Sequence, residues 1–116
     1  MSILSDFLNL IDPILDGRAY RSMAPDSAKA PYATFFRVSA VPGTTLDRNG
    51  GADNESNTRI QVDIYGSALG VDEKATAIKA ALLEWSIDNV ILLERDSYEQ
   101  EVKLHRVTLD ISTWHQ

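Results

Sequence analysis

The feature that most constrains this chain is a run of strict alternation, "TRIQVDIYGS", from Thr58 to Ser67. Its apolar residues Ile60, Val62 and Ile64 occupy one parity, and polar, charged or tyrosine side chains occupy the other. Because successive side chains of a strand point to opposite faces of a sheet, this pattern predicts a strand with one buried and one exposed face. The fold must therefore cover one face of a sheet and leave the other open, as antiparallel sheets commonly do.

Four other segments have the composition of strands, namely 18–22, 32–41, 90–96 and 101–114. In the last segment, Val107, Leu109 and Ile111 alternate with polar residues in the same way as in the first run. Leu104 falls on the polar parity of that segment, so we expect a bulge or a twist near it. A turn is expected over 97–100.

Two segments have helical periodicity. Apolar residues recur at three- and four-residue spacing from Ser2 to Asp16. That helix is expected to end at about Ile11 and continue as a tight extra turn, because Pro13 lacks an N–H and clashes one turn back. Gly17 is a natural stop. The second predicted helix, Val71 to Trp85, carries a single apolar stripe.

The order helix, three strands, helix, two strands predicts an α+β fold in one domain that spans residues 1–116. We expect a mostly antiparallel sheet of four to five strands, with two helices packed on one face and a long β-hairpin arm. The open face is predicted to carry Arg37, Arg59, Asp63, Tyr65, Arg106 and Asp110.

The hairpin arm is predicted over residues 42–57. This segment is polar and rich in Gly and Asn, and Leu46 is its one large apolar side chain. Loops of this length are uncommon in compact domains and are usually functional or disordered. We therefore expect a flexible arm with a function.

Composition narrows the classes of function. The 116 residues include no cysteine, which excludes disulfides and thiolate metal sites. The net charge of −6 and the scattered basic residues argue against specific nucleic-acid binding, which depends on clustered Lys and Arg. The longest aliphatic run, Val90 to Leu93, is far too short to span a membrane, and the first six residues do not resemble a signal peptide. A cytosolic protein without a membrane partner is expected.

A search for catalytic chemistry yields weak candidates. Asp63 and Asp110 fall on the same predicted face, and paired carboxylates perform acid–base chemistry. Because Arg59 and Arg106 share that face, cross-strand ion pairs are the simpler interpretation. His105 shares the parity of buried residues and is interpreted as a partly buried edge residue.

Known site motifs are also missing from the sequence. The acidic stretch from Asp47 fails the EF-hand pattern at its fifth, sixth and twelfth positions. No phosphate-binding or dinucleotide-binding motif occurs. We expect no cofactor, no metal and no enzymatic activity. A small hydrolase using Asp63, Asp110 or His105, and a generic ligand-binding domain, remain the alternatives.

The arrangement as a whole resembles a known family. The matching segments are the strand Arg18–Arg21, "APYATFFRVS", "RIQVDIYG", the Ala-rich helix "VDEKATAIKAALLEW" and the closing "LHRVTLDIS". From about Phe7 to Trp114 the chain resembles the small tail-completion proteins of tailed phages, which include tail terminators similar to phage lambda's minor tail protein U. The resemblance lies in order, spacing and pattern, and no catalytic residue anchors it.

The resemblance implies a structural protein of a phage or prophage. Such proteins form a homo-hexameric ring on the tail tube, stop the major tail tube protein from polymerising and present a surface to the head connector protein. The expected location is the host cytoplasm during assembly and then the virion tail. Another head–tail connector or neck completion protein is the closest alternative.

The resemblance also suggests a role for the arm. A segment that orders only when it docks on a neighbour or on the tube costs roughly 1–2 kcal/mol per backbone residue, which would weaken premature ring formation. Together with the open face, the predicted contact residues in the arm are Thr45, Leu46, Asp47, Arg48, Asn49, Asp53 and Glu55.

Overall fold

The computed structural model of the chain describes residues 2–42 and 56–115. The elements are α1 (Ile3–Ile11), β1 (Ala19–Arg21), β2 (Tyr32–Val41), β3 (Ser56–Gly66), α2 (Ala68–Glu84), β4 (Asp88–Glu99) and β5 (Leu104–His115). This order confirms the predicted α+β class. Within the described residues, neither helix has the length and apolar character needed to cross a membrane.

Helix α1 begins and ends as its sequence predicts. The Ser2 side chain caps it by accepting a hydrogen bond from the backbone N–H of Ser5 at 3.1 Å. The helix ends at Ile11, two residues before the proline, and the chain continues in tight turns. These turns close at Gly17, whose φ of +82° lies in the left-handed region that glycine adopts without strain.

Helix α2 begins three residues earlier than predicted. Ser67 is its cap, and the Ser67 hydroxyl accepts a hydrogen bond from the backbone N–H of Gly70 at 3.0 Å. A Cβ at position 70 would lie only 2.9 Å from that hydroxyl oxygen, so the glycine allows the cap to close. The residue pattern alone signals the apolar stripe from Val71 but not this additional first turn.

The five strands form one sheet in the order β1-β2-β3-β5-β4. The pair β1–β2 is parallel, and the other three pairs are antiparallel. The sheet is therefore mostly antiparallel, as predicted. Strand β3 lies at its centre, so the strictly alternating segment of the sequence forms the middle of the sheet.

The β4–β5 hairpin differs from the prediction. Strand β4 continues through Glu99 and pairs with Leu104 at the start of β5, which places the turn at residues 100–103. Of the bulge or twist expected near Leu104, the bulge is wrong, because the register is continuous there. Leu104 is half-buried on the open face beside the turn. The irregularities in register lie at Val38 in β2 and at Leu92 in β4.

Both helices pack on the same face of the sheet and bury one continuous core. Ile60, Val62 and Ile64 are fully buried beneath them, which confirms the alternation. At the centre, the Phe7 ring of α1 lies edge-on to Phe35, with 5.4 Å between centroids. The core residues that α2 and β5 contribute are Val71, Ala75, Ile78, Leu82, Val107, Leu109 and Ile111.

The base of the predicted arm belongs to the sheet. Ser56 and Asn57, assigned to the arm from the sequence, lie in β3 and pair with β5, and Asn57 also lies opposite Val41 of β2. The predicted arm residues 43–55 lie outside the described residues.

Candidate functional site

The sheet face opposite the helices brings together five of the six residues predicted for it. On β3 these are Arg59, Asp63 and Tyr65, and on β5 they are Arg106 and Asp110. Tyr65 lies opposite Arg106, while Asp63 lies opposite Thr108 of β5. We call this surface, formed by β2, β3, β5 and β4, the open face.

The sixth predicted residue, Arg37, lies on the other side of the sheet. It pairs with the buried Ile60, so it points to the helix-covered side, and this part of the prediction is wrong. Its neighbour two residues back, Phe35, is a core residue and fixes the parity. Arg37 stays exposed and borders a shallow cavity with Ser2 at the start of α1.

An ion pair crosses the middle of the open face. The Arg59 Nη2 atom lies 2.6 Å from the Asp110 Oδ2 atom, and their side chains are 40% and 16% exposed. The Arg59 Nε and Asp110 Oδ1 atoms are buried and have no hydrogen-bond partner among the described residues. The pair is thus joined by one charge-assisted contact and lacks the second contact of a bidentate pair.

Asp63 is held in a satisfied polar cluster beside this pair. Its side chain is 7% exposed, and it accepts hydrogen bonds from the Thr108 hydroxyl at 2.6 Å and from the Gln61 amide at 3.1 Å. The Arg106 Nε atom lies 3.9 Å from the carboxylate. The predicted cross-strand ion pairing is therefore confirmed, since Arg59 contacts Asp110 and Arg106 lies near Asp63 across the two strands.

Arg106 links this cluster to the next strand. Its Nε donates to the Ser97 hydroxyl at 3.1 Å, and its Nη2 lies 3.2 Å from the Glu99 carboxylate. A hydrogen bond to Tyr65 raises the pKa of Arg106 above its usual range, and the charge of Asp63 acts in the same direction against the opposing effect of burial. The arginine remains charged and ties β3, β4 and β5 together.

A row of tyrosines continues the open face towards β1. The rings of Tyr32 and Tyr65 are stacked with centroids 5.0 Å apart, and Tyr20 lies edge-on to Tyr32 at 6.5 Å. Burial raises the pKa of Tyr32, and the neighbouring Tyr65 raises it further. Tyr32 and Tyr65 line the base of a groove of about 600 Å³ between the loop after β1 and the β4–β5 turn.

The other end of the open face is apolar, which the sequence analysis missed. We call this surface the apolar end, and it comprises Phe36, Val41, Val90, Leu93 and Trp114, each 37 to 60% exposed. The register places these residues around the ion pair, since Arg59 lies in the same row of the sheet as Val90 and Asp110 lies opposite Leu93. The sequence held one indication of this surface, because Trp114 has the same parity in β5 as Asp110 and must therefore share its face.

The three residues of the hydrolase alternative, His105, Asp63 and Asp110, do not converge on one site. His105 pairs with Gly66 and Tyr98 on the helix-covered side, whereas Asp63 and Asp110 lie on the open face. The three side chains are therefore on opposite sides of the sheet. Within residues 2–42 and 56–115, no group of three His, Asp or Glu side chains is placed to hold a metal ion.

The predicted contact residues of the arm lie outside the described residues. They are Thr45, Leu46, Asp47, Arg48, Asn49, Asp53 and Glu55. The candidate site that the structure describes is thus the open face with its apolar end.

Comparison with known proteins identifies a family model and a shared fold. The model of the tail completion protein gp17 family matches residues 10–116. A chain from the virion of a native gene transfer agent (GTA) particle superposes with a TM-score of 0.66 at 11% sequence identity, over 97% of this chain and 90% of that chain. At this identity the likeness concerns the fold alone. No curated protein matches the chain.

A second solved structure, a crystal structure from Akkermansia muciniphila, aligns with a TM-score of 0.44 at 10% identity. That alignment covers 98% of this chain and 78% of that chain, and its score is too low to support an argument.

Proposed function

This chain belongs to the tail completion protein gp17 family, and we propose that it caps a phage or prophage tail tube as a homo-hexameric ring. Family membership makes it a structural protein of tail assembly and not an enzyme. In the proposed role, the ring ends polymerisation of the major tail tube protein and offers its other side to the head connector protein. The protein would act in the host cytoplasm during assembly and remain in the virion tail.

The observation that carries this proposal is the apolar end of the open face. Protein interfaces commonly bury an apolar centre with aromatic and arginine side chains and surround it with polar groups. Trp114 and Phe36 provide the aromatic side chains, and Arg59 lies between them with its charge already paired to Asp110. A surface of this composition suits another tail protein, because it can be buried without leaving an unpaired charge.

The charge of the chain agrees with the same role. The chain carries a net charge of −6. A ring through which DNA passes must not hold the phosphates, and a negative surface repels them. No specific nucleic-acid contact is therefore part of the proposal.

The arm is proposed to add contacts to a neighbouring copy or to the tube. If this is right, replacing residues 45–55 by a short glycine turn should leave the subunit folded but unable to cap tails. Tails of normal length in that variant would refute the role of the arm without affecting the role of the open face.

Electron microscopy of tails assembled with and without the protein tests the function. We expect tubes of uncontrolled length in its absence and uniform tubes when it is restored. Uniform tubes in its absence would overturn the terminator role. If those tubes also fail to join heads, the result would favour the alternative of a head–tail connector.

A further inference from the structure

The sheet has two long strand edges that no described strand covers. Strand β1 pairs with β2 only over Ala33–Phe35, so no strand of the described residues pairs with the outer edge of β2 over residues 36–41. We call this segment the uncovered part of β2. At the other side of the sheet, the twelve-residue strand β4 pairs only with β5 among the described strands. Unpaired backbone N–H and C=O groups along such edges are templates for pairing with another chain.

The directions of the strands make the two edges compatible. Strand β2 is antiparallel to β3, β3 is antiparallel to β5, and β5 is antiparallel to β4. Strand β4 therefore runs opposite to β2. When two copies stand side by side in the same orientation, β4 of one copy lies antiparallel to β2 of the next.

The side chains on the two edges are also complementary. The uncovered part of β2 carries one charged residue, Arg37, and therefore a charge of +1. Strand β4 carries four acidic residues and Arg95, which gives −3. Exposed apolar side chains flank both edges, with Val38 on β2 and Leu92 on β4.

The two edges lack two of the residue types that commonly protect an edge, although β4 carries five charged side chains. Soluble proteins commonly place lysine or proline on an edge strand to prevent pairing with other chains. The segment 36–41 and strand β4 contain neither residue type. Both contain a bulge, but the bulge at Leu92 leaves residues 88–91 of β4 as a regular edge.

We propose that copies of this chain join by pairing the outer edge of β4 with the outer edge of β2 in the next copy. This inference rests on the proposed function and names the contact between subunits of the ring. Because the two edges are different surfaces, the contact is head-to-tail, and such contacts close into a ring when the rotation between copies permits. The sheets of neighbouring copies then form one continuous surface that includes the apolar ends.

Cysteine cross-linking tests this interface, because the natural chain has no cysteine. Ser39 of β2 lies opposite Arg59, and Val90 of β4 lies opposite Ser112, so both point to the open face. The full-length double variant Ser39→Cys/Val90→Cys should form a ladder of covalent dimers, trimers and larger species on mild oxidation of assembled tails. A disulfide requires Cα atoms about 4.4–6.8 Å apart, so a ladder reports direct adjacency. The pair Val41→Cys/Val90→Cys samples a neighbouring register.

The single-cysteine variants are the controls. A head-to-tail contact gives no ladder with Ser39→Cys or Val90→Cys alone, whereas efficient dimers from one of them would show like edges pairing and overturn the proposal. The absence of a ladder from both double variants in tails that contain the protein would also overturn it. If the double variants do not cross-link but the wild-type protein still sets tail length, the edge contact is refuted and the capping function is not.

A pair of leucine substitutions provides a second readout. Leu92→Lys places a charge on the β4 edge, and Leu83→Lys places one on α2, where the side chain is 86% exposed. We expect at least a tenfold loss of incorporation into tails for the first variant and none for the second. Equal incorporation of both folded variants would contradict the edge contact.

Discussion

Arg59 of β3 and Asp110 of β5 are joined across neighbouring strands by one contact of 2.6 Å, between Nη2 and Oδ2. The register sets them diagonally, since Asp110 lies opposite Gln61 and Arg59 lies opposite Ser112. Their remaining polar atoms, Nε and Oδ1, are buried without hydrogen-bond partners in the described part of the chain. The pair therefore neutralises charge at the centre of the open face, but it leaves two polar atoms unsatisfied.

This geometry predicts unequal costs for the two single substitutions. Arg59→Ala leaves the less exposed partner, Asp110, without its cation, so it should lower the free energy of unfolding by about 1–3 kcal/mol. Asp110→Ala should cost less, because Arg59 is 40% exposed and can be solvated. The double variant Arg59→Leu/Asp110→Leu should be close to the wild type, since it removes both unsatisfied atoms. Urea unfolding measures all three, and a double variant as unstable as the sum of the singles would contradict this account.

The hydrogen bond from Thr108 to Asp63 predicts a second effect on stability. Thr108→Val keeps the shape of this buried side chain but removes the donor at 2.6 Å, which should cost roughly 1–3 kcal/mol. Thr108→Ser keeps the hydroxyl and should recover most of that loss. The comparison by urea unfolding isolates the hydrogen bond, and equal stabilities of the two variants would show that it contributes nothing.

The core contact between α1 and the sheet predicts the largest loss of stability. Phe7 is fully buried against Phe35 and Trp85, so Phe7→Ala should cost about 3–5 kcal/mol. Leu83→Ala, on the exposed surface of α2, is the matched control and should change stability by no more than about 0.5 kcal/mol. Thermal unfolding distinguishes them, and a mild effect at position 7 would mean that α1 docks loosely.

Tyr32 predicts a dependence on alkaline pH. Its pKa is raised above the ordinary value of 10.0, so the folded state favours the neutral phenol relative to the unfolded chain. The resulting stability is present below pH 10 and is lost as the pH rises through the pKa of the folded protein. An ultraviolet titration should show a late-titrating component from Tyr32, and Tyr32→Phe should remove that component. A Tyr32→Phe titration with the late component unchanged would exclude this assignment.

The apolar end predicts a functional defect without unfolding. Trp114→Glu introduces a charge where another tail protein is proposed to bind, but the 40% exposed side chain is not part of the core. We expect a folded protein by circular dichroism that no longer limits tail length. Leu83→Glu, remote from this surface, should cap tails normally. Normal tail lengths with Trp114→Glu would exclude the apolar end from the interface.

Much of the fold follows from local sequence pattern. The apolar parity of Ile60, Val62 and Ile64 determined the buried face of the central strand, and Pro13 determined where α1 ends. These are local effects, because side-chain direction alternates residue by residue and a proline acts on its own turn. The same parity placed Arg59, Asp63, Tyr65, Arg106 and Asp110 on one face.

Three features depend on tertiary packing and not on the parity of single strands, namely the orientation of β2, the strand order and the partner of each charged side chain. Strand β2 has a phenylalanine on each parity, so only its pairing with β3 placed Phe35 in the core and Arg37 on the helix-covered side. The strand order β1-β2-β3-β5-β4, the partner of each charge and the grouping of the apolar end depend on contacts between segments far apart in the sequence. Local pattern thus fixed which apolar side chains are buried on β3 and β5, the two strands with strict alternation. Only packing decided which exposed side chains are neighbours, because register is a property of two strands and not of one.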